Sequence, residues 1–257
     1  AISPVVQARG GIGSTTVAVN LADHLVIRKC RFRKDPANSV AIVDLDLEFG
    51  SVGEFLDIMS KDALLQLAAG GEVPDPSWVE QSMSESDGGL HVLTAPADFM
   101  PMDGISDRQM EGLIEALRRS HDYVILDLPR AIVSWIGPIM AVADEVLVVT
   151  DTTVPSIRSA KRIIEFYRAE NPGLNVNVVI NHEKKPLVQA HHHKEAANVL
   201  EQKFEHWLPH DPKAARTAID YGKPLSAVAP RSDLNKAITA LAKSTMKAMP
   251  SVLHATH

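Results

Sequence analysis

Residues 8–22 read ARGGIGSTTVAVNLA and follow directly on the apolar run Ile2–Ala8. Three glycines, Gly10, Gly11 and Gly13, permit positive φ angles and let the backbone approach a ligand with no Cβ in the way. A helical pattern starts at Ser14. Free N–H groups and the positive end of the helix dipole therefore converge on one point, which suits an anion. Thr15 and Thr16 stand in the first turn, where a hydroxyl reaches a phosphate oxygen or Mg2+. Strand, glycine-rich loop and helix in this order predict a phosphate-binding turn. Gly10, Gly11, Ile12, Gly13, Ser14, Thr15 and Thr16 are its candidate residues.

The same alternation continues outward from this loop. Further buried-strand patterns lie at Val40–Leu45, Leu90–Ala95, Tyr123–Leu128, Glu145–Thr150 and Asn175–Asn181. They are nearly continuous apolar runs, as expected of parallel strands covered on both faces. Helical patterns fall between and after them, at Ser14–Ile27, Ser106–Arg119, Val154–Glu170, Lys194–Gln202 and Asp233–Met249. This predicts an α/β fold: one doubly wound, mostly parallel sheet flanked by helices, in a single domain spanning 1–257. Ligands of such sheets bind beyond the carboxyl ends of the strands. Two interruptions stand out. Arg28–Lys34 is a basic loop, and Gly70–Gly89, with its GGEVPDP, is expected to be a surface excursion.

Strand ends carry acids. VDLDLEFGSVGEFLDI (43–58) places Asp44 and Asp46 two apart, on one face of an extended strand. In phosphoryl transfer such carboxylates hold Mg2+ through water or orient the attacking water. YVILDLPRA (123–131) adds Asp127 after an apolar run, the third acid toward one crevice. NVNVVINH (175–182) ends in Asn181, whose amide can pair with an adenine edge.

The 257 residues carry a net charge of −6 and 45% hydrophobic residues. That allows a sizeable core and excludes a global positive field drawing the chain to nucleic acid or anionic lipid. No apolar run approaches the ~20 residues of a membrane span. One cysteine, Cys30, allows no internal disulfide, which fits a reducing cytoplasm. The chain opens at Ala1 on a strand, so an excised domain is expected.

The loop resembles the deviant Walker A motif of the MinD/ParA superfamily, KGGxGK(S/T)T. Gly10, Gly11, Gly13, Thr15 and Thr16 match it. Arg9 stands at the signature lysine, and Ser14 at the phosphate-loop lysine. LPHDPKAARTAIDYGKPLSAVAPRSDLNKAI (208–238) resembles the family's base-closing segment and adds Pro209 and Asp211 at the adenine end. The resemblance implies ATP and Mg2+ as cofactors, with Asp44, Asp46 and Arg9 in catalysis and Thr15, Asp44 and Asp127 at the metal. It also implies a homodimer across bound nucleotide, with Arg9 reaching the partner's phosphates. Ser14 removes a cation from the β/γ-phosphates, so hydrolysis is expected to be slow.

Three stretches narrow the resemblance: 44–56, 88–99, and 123–130 together with 143–162. They look like the ATPase domain of the CpaE/TadZ proteins of Flp-type (tight adherence) pilus assembly. That implies a cytoplasmic, often pole-localised dimer that positions pilus secretion machinery, here without the receiver-like domain that commonly precedes it. The alternatives are a ParA-type DNA-partition ATPase and an inactive scaffold of the same fold.

Weaker features favour plainer readings. His191–His193 is expected to be an exposed helix start rather than a metal tract. The basic residues Arg158, Lys161, Arg162 and Arg168 read as a solvated face, which disfavours DNA as a partner. The amphipathic helix Asp233–Met249 is expected to pack on the sheet rather than on a membrane.

Overall fold

The computed structural model describes residues 1–26 and 38–249. The strands are β1 (Ile2–Gln7), β2 (Val40–Asp44), β3 (Ser84–Glu85), β4 (His91–Leu93), β5 (Tyr123–Leu128), β6 (Val146–Thr150), β7 (Val176–Asn181) and β8 (His206–Leu208). They form one sheet in the order β3-β4-β2-β5-β1-β6-β7-β8. Every pairing is parallel except β3 with β4. This is the doubly wound sheet expected from the sequence. β1 lies between β5 and β6, with β2 and β4 outward on one side and β7 and β8 on the other. The loop that follows β1 thus opens where the winding changes direction.

Helices cover both faces. Successive residues of β2 go to opposite sides: Ala41 and Val43 join one apolar cluster, Val40 and Ile42 the other. The first cluster takes Met110, Leu113 and Leu117 from the helix Asp107–Ser120 and Ile157 and Ile164 from Val154–Glu170. The second joins Val17, Leu21 and Leu25 of the helix Ser14–Leu25 to Leu234, Ile238 and Leu241 of Asp233–Ala248. The apolar stripe of that last helix is consumed inside the molecule, as expected. Among the described residues no helix is long and apolar enough to cross a membrane.

Gly70–Gly89 departs from its reading as a surface excursion. It holds the helix Pro76–Ser82 and the strand β3, and it sends Val79 and Met83 into the core. Proline starts this helix instead of breaking one: Pro76 takes the first turn, and the Asp75 carboxylate accepts from Trp78 N at 2.8 Å. The loop Arg28–Lys34, Cys30 and the expected helix end at Ile27 lie outside the described residues.

Candidate functional site

Six residues, 8–13, turn the chain from β1 into the helix Ser14–Leu25. Gly11 and Gly13 take φ of 73° and 88°, a region costly for any residue with a Cβ. At Gly13 a Cβ would also sit 2.8 Å from Asn181 Nδ2, so the loop tolerates no side chain there. Asn181, at the end of β7, donates from Nδ2 to the Ile12 carbonyl at 2.7 Å, and its Oδ1 accepts from His182 N at 2.9 Å. The residue expected at an adenine edge therefore spends half of its amide on shaping the phosphate loop. One N–H remains for a base.

Ile12 buries its side chain completely, and Ser14 is buried at the first position of the helix. The Thr15 hydroxyl acts on the Asp127 carboxyl and favours its charged form. The Thr16 carbonyl accepts from Asn20 Nδ2 at 2.8 Å, and Asn20 Oδ1 accepts from Leu225 N at 2.7 Å. This ties the glycine–proline–leucine segment at 222–225 to the loop helix.

Asp44 ends β2 and stands in register with Asp127 on β5. Both carboxyls are buried. Asp44 accepts from Val52 N at 2.9 Å and from Asp46 N at 3.2 Å. Burial outweighs those donors and pushes the Asp44 carboxyl up to about 7. Burial, and then the charge of Asp44, drives Asp127 well above the usual carboxylate range, with the Thr15 hydroxyl pulling the other way. Two buried carboxyls side by side, with a threonine hydroxyl and no cation of their own among the described residues, make a donor set fitted to a hard divalent ion. Asp46 reaches this region by a different route from the one expected. β2 stops at Asp44, so strand alternation does not align the two; a turn does, in which Asp46 Oδ1 accepts from Phe49 N at 3.1 Å.

A cavity of about 570 Å3 opens over the loop, lined by Gly10, Gly11, Gly13, Ser14, Thr15 and Thr16 together with Asp46 and Arg130. A second, of about 410 Å3, shares Gly11, Gly13 and Thr16 and is walled by Asn181, His182, Pro209, Asp211, Leu234 and Ile238. Pro209 and Asp211 thus come to the same end of the loop as Asn181. Asp211 also caps the helix Pro212–Asp220, accepting from Ala214 N at 3.1 Å.

Arg9 has a partner within its own chain. Its Nε and Nη2 both donate to Asp151 Oδ2, at 2.9 and 2.6 Å. Burial pushes the Asp151 carboxyl up, but hydrogen bonds from Thr153, Ser156 and Arg9 outweigh it and hold the group at about 2. Sequence reasoning passed over Asp151, although it ends an apolar strand as Asp127 does and carries the same signal. It also passed over Arg130, three residues beyond Asp127, and His182, whose ring meets that of His210 edge to face at 5.1 Å.

The histidine run is only partly the exposed helix start that was expected. His193 is buried; its Nδ1 accepts from Ala190 N at 3.2 Å, and its Nε2 lies 2.9 Å from Glu183 Oε2. Glu183, His192 and His193 bring one ligand atom each within 4.8 Å of one another. Both ring nitrogens of His193 are already engaged, so the run acts as a helix cap.

Residues 1–180 match the AAA_31 family, described as an AAA domain. The chain belongs to this family. Among AAA-domain proteins its relatives place it in the MinD/ParA superfamily. The septum site-determining protein MinD of Thermotoga maritima is 27% identical over 190 residues, 72% of this chain and 65% of the relative. The chain thus spans just under two thirds of that relative's length. The crystal structure of a ParA family ATPase from Chlorobium tepidum has the same fold, with a TM-score of 0.80 at 22% identity, covering 94% of this chain and 98% of that one. MinD of Pyrococcus horikoshii, solved as a complex with Mg-ADP, gives a TM-score of 0.73 at 19% identity, covering 96% and 95%.

Proposed function

We propose that this AAA-domain chain binds ATP with Mg2+ and works as a nucleotide-switched dimer with slow hydrolysis. The observation that supports it best is the junction of a loop that takes positive φ at two glycines with a buried, uncompensated pair of carboxyls, Gly11 and Gly13 beside Asp44 and Asp127. Backbone N–H groups of residues 10–16 would take the phosphates. Thr15, Asp44 and Asp127 would hold Mg2+, which supplies charge neutralisation at the phosphate oxygens. Asp46, at the cavity wall, orients water. Asn181, Pro209 and Asp211 flank the base. Arg9, in this reading, leaves Asp151 to meet the partner's phosphates. Ser14 offers no charge where the superfamily has lysine, which accounts for slow turnover.

The finer role is the positioning of Flp-type pilus assembly and secretion machinery by a cytoplasmic, pole-localised dimer. It rests on the likeness of 44–56, 88–99, 123–130 and 143–162 to CpaE/TadZ proteins. Titration calorimetry with ATP, with and without Mg2+, tests the nucleotide reading. Wild type is expected to bind only with the metal, and Gly13→Val to lose binding; equal affinity in the variant overturns the site. Salt-steep binding to nonspecific DNA would point instead to the partition reading.

A further inference from the structure

We infer that Arg130 supplies the positive charge at the polyphosphate that position 14 lacks. The inference rests on the nucleotide reading above and assigns a residue to its phosphate end. Arg130 lies two residues past β5, and β5 is hydrogen-bonded to β1, with Val6 opposite Leu128. The chain leaving β5 therefore emerges beside the chain leaving β1, which is the phosphate loop. Pro129 holds Leu128 extended and steers the next residue outward along the cavity wall.

Among the described residues lining the cavity over the loop, Arg130 is the cation; the other ionisable groups there are Asp46 and Glu48. A polyphosphate entering that space meets two like charges and, at residue 14, a neutral hydroxyl. Arg9 does not relieve this. Its guanidinium is bound to Asp151, and it is not part of the cavity wall. Arg130, by contrast, is exposed and makes no hydrogen bond or ion pair among the described residues. Its planar fork of donors matches the paired oxygens of a phosphate, and nothing has to be broken before it engages. The ligand class that uses it is a nucleoside di- or triphosphate. A nucleoside monophosphate has no charge at that distance from the base and is indifferent to it.

Calorimetry with ATP and AMP in Mg2+, on wild type, Arg130→Ala, Arg130→Lys and the double variant Arg130→Ala with Ser14→Lys, tests this. Arg130→Ala should weaken ATP by about 10- to 100-fold and leave AMP unchanged, which also shows that the variant is folded. Arg130→Lys should recover part of the loss, and Ser14→Lys should restore tight ATP binding in the Arg130→Ala background. If Arg130→Ala binds ATP as wild type does, or weakens ATP and AMP alike, the inference is overturned while the nucleotide reading stands. If wild type itself binds no nucleotide, both fall together.

Discussion

Keeping Asp44 and Asp127 buried side by side costs stability, because each carboxyl is drier than it would be in the unfolded chain and each opposes the other's charge. Replacing Asp127 by Asn keeps the shape and removes one charge. Asp127→Asn should raise the stability of the nucleotide-free protein at pH 8 by on the order of 1 kcal/mol, and remove the Mg2+-dependent part of ATP affinity. Thermal melts and calorimetry on one preparation check both halves; a variant that loses stability would show that the pair is not strained. These acids were legible in the sequence because each ends an apolar strand. Asp46 and Asn181 were legible as candidates, but the hydrogen bonds that position them were not. Where a strand stops, and which carbonyl an amide reaches, depend on neighbours distant in the chain: Ile12 and Asn181 are brought together only by the sheet.

Elements explain what the helix and strand patterns did and did not disclose. The helix Asp107–Ser120 starts from a reciprocal cap in which the Ser106 hydroxyl accepts from Gln109 N and Gln109 Oε1 accepts from Ser106 N. Ser106→Ala should cost about 1 kcal/mol, seen as a lower denaturant midpoint at unchanged slope. Its other end rests on His121, whose Nε2 lies 2.8 Å from His91 Nδ1 of β4 and whose Nδ1 is buried without a partner among the described residues. Burial, and then the neighbouring His91, bring His121 down to about 4 from the usual 6.5. Between those values the unfolded chain binds the extra proton, so stability rises with pH there and is lost as pH falls from 6.5 toward 4. Over that window the loss reaches about 3 kcal/mol. His121→Gln, which does not titrate, should flatten the denaturant midpoint against pH; an unchanged slope would assign the acid sensitivity elsewhere. The long helices were readable because their apolar stripes persist for several turns. The helix Pro76–Ser82 was not, since seven residues make barely two turns, nor were the short strands β3 and β8, since two or three residues carry no period and their pairing is set by β4 and β7.

At the scale of the molecule, the Arg9–Asp151 pair bears on whether the protein exists as one copy or two. An arginine that bridges to a second copy must first exchange its own Asp151 for that copy's phosphates, which couples association to the ligand. Sedimentation of wild type and Arg9→Ala with a non-hydrolysable ATP analogue should show a ligand-driven dimer for wild type alone. Equal dimerisation of the two would remove Arg9 from the interface. The parallel direction of the sheet followed from sequence, because nearly continuous apolar runs alternate with helical patterns; the order of its strands did not. The partner of Arg9 did not, since Asp151 follows β6 and lies 142 residues further along the chain. The same separation governs the cavity beside Asn181. Gly11, Gly13 and Thr16 form one wall of it, and Leu234 and Ile238 of the helix Asp233–Ala248 another. On the ribosome those walls are made at opposite ends of the synthesis of this domain. A nascent chain that has emerged only through Ala229 has its phosphate loop but lacks that second wall of the cavity. On the nucleotide reading proposed above, protection by ligand would come only after residues 234–238 are in place, and limited proteolysis of the chain cut at Ala229 with and without ATP would show no difference.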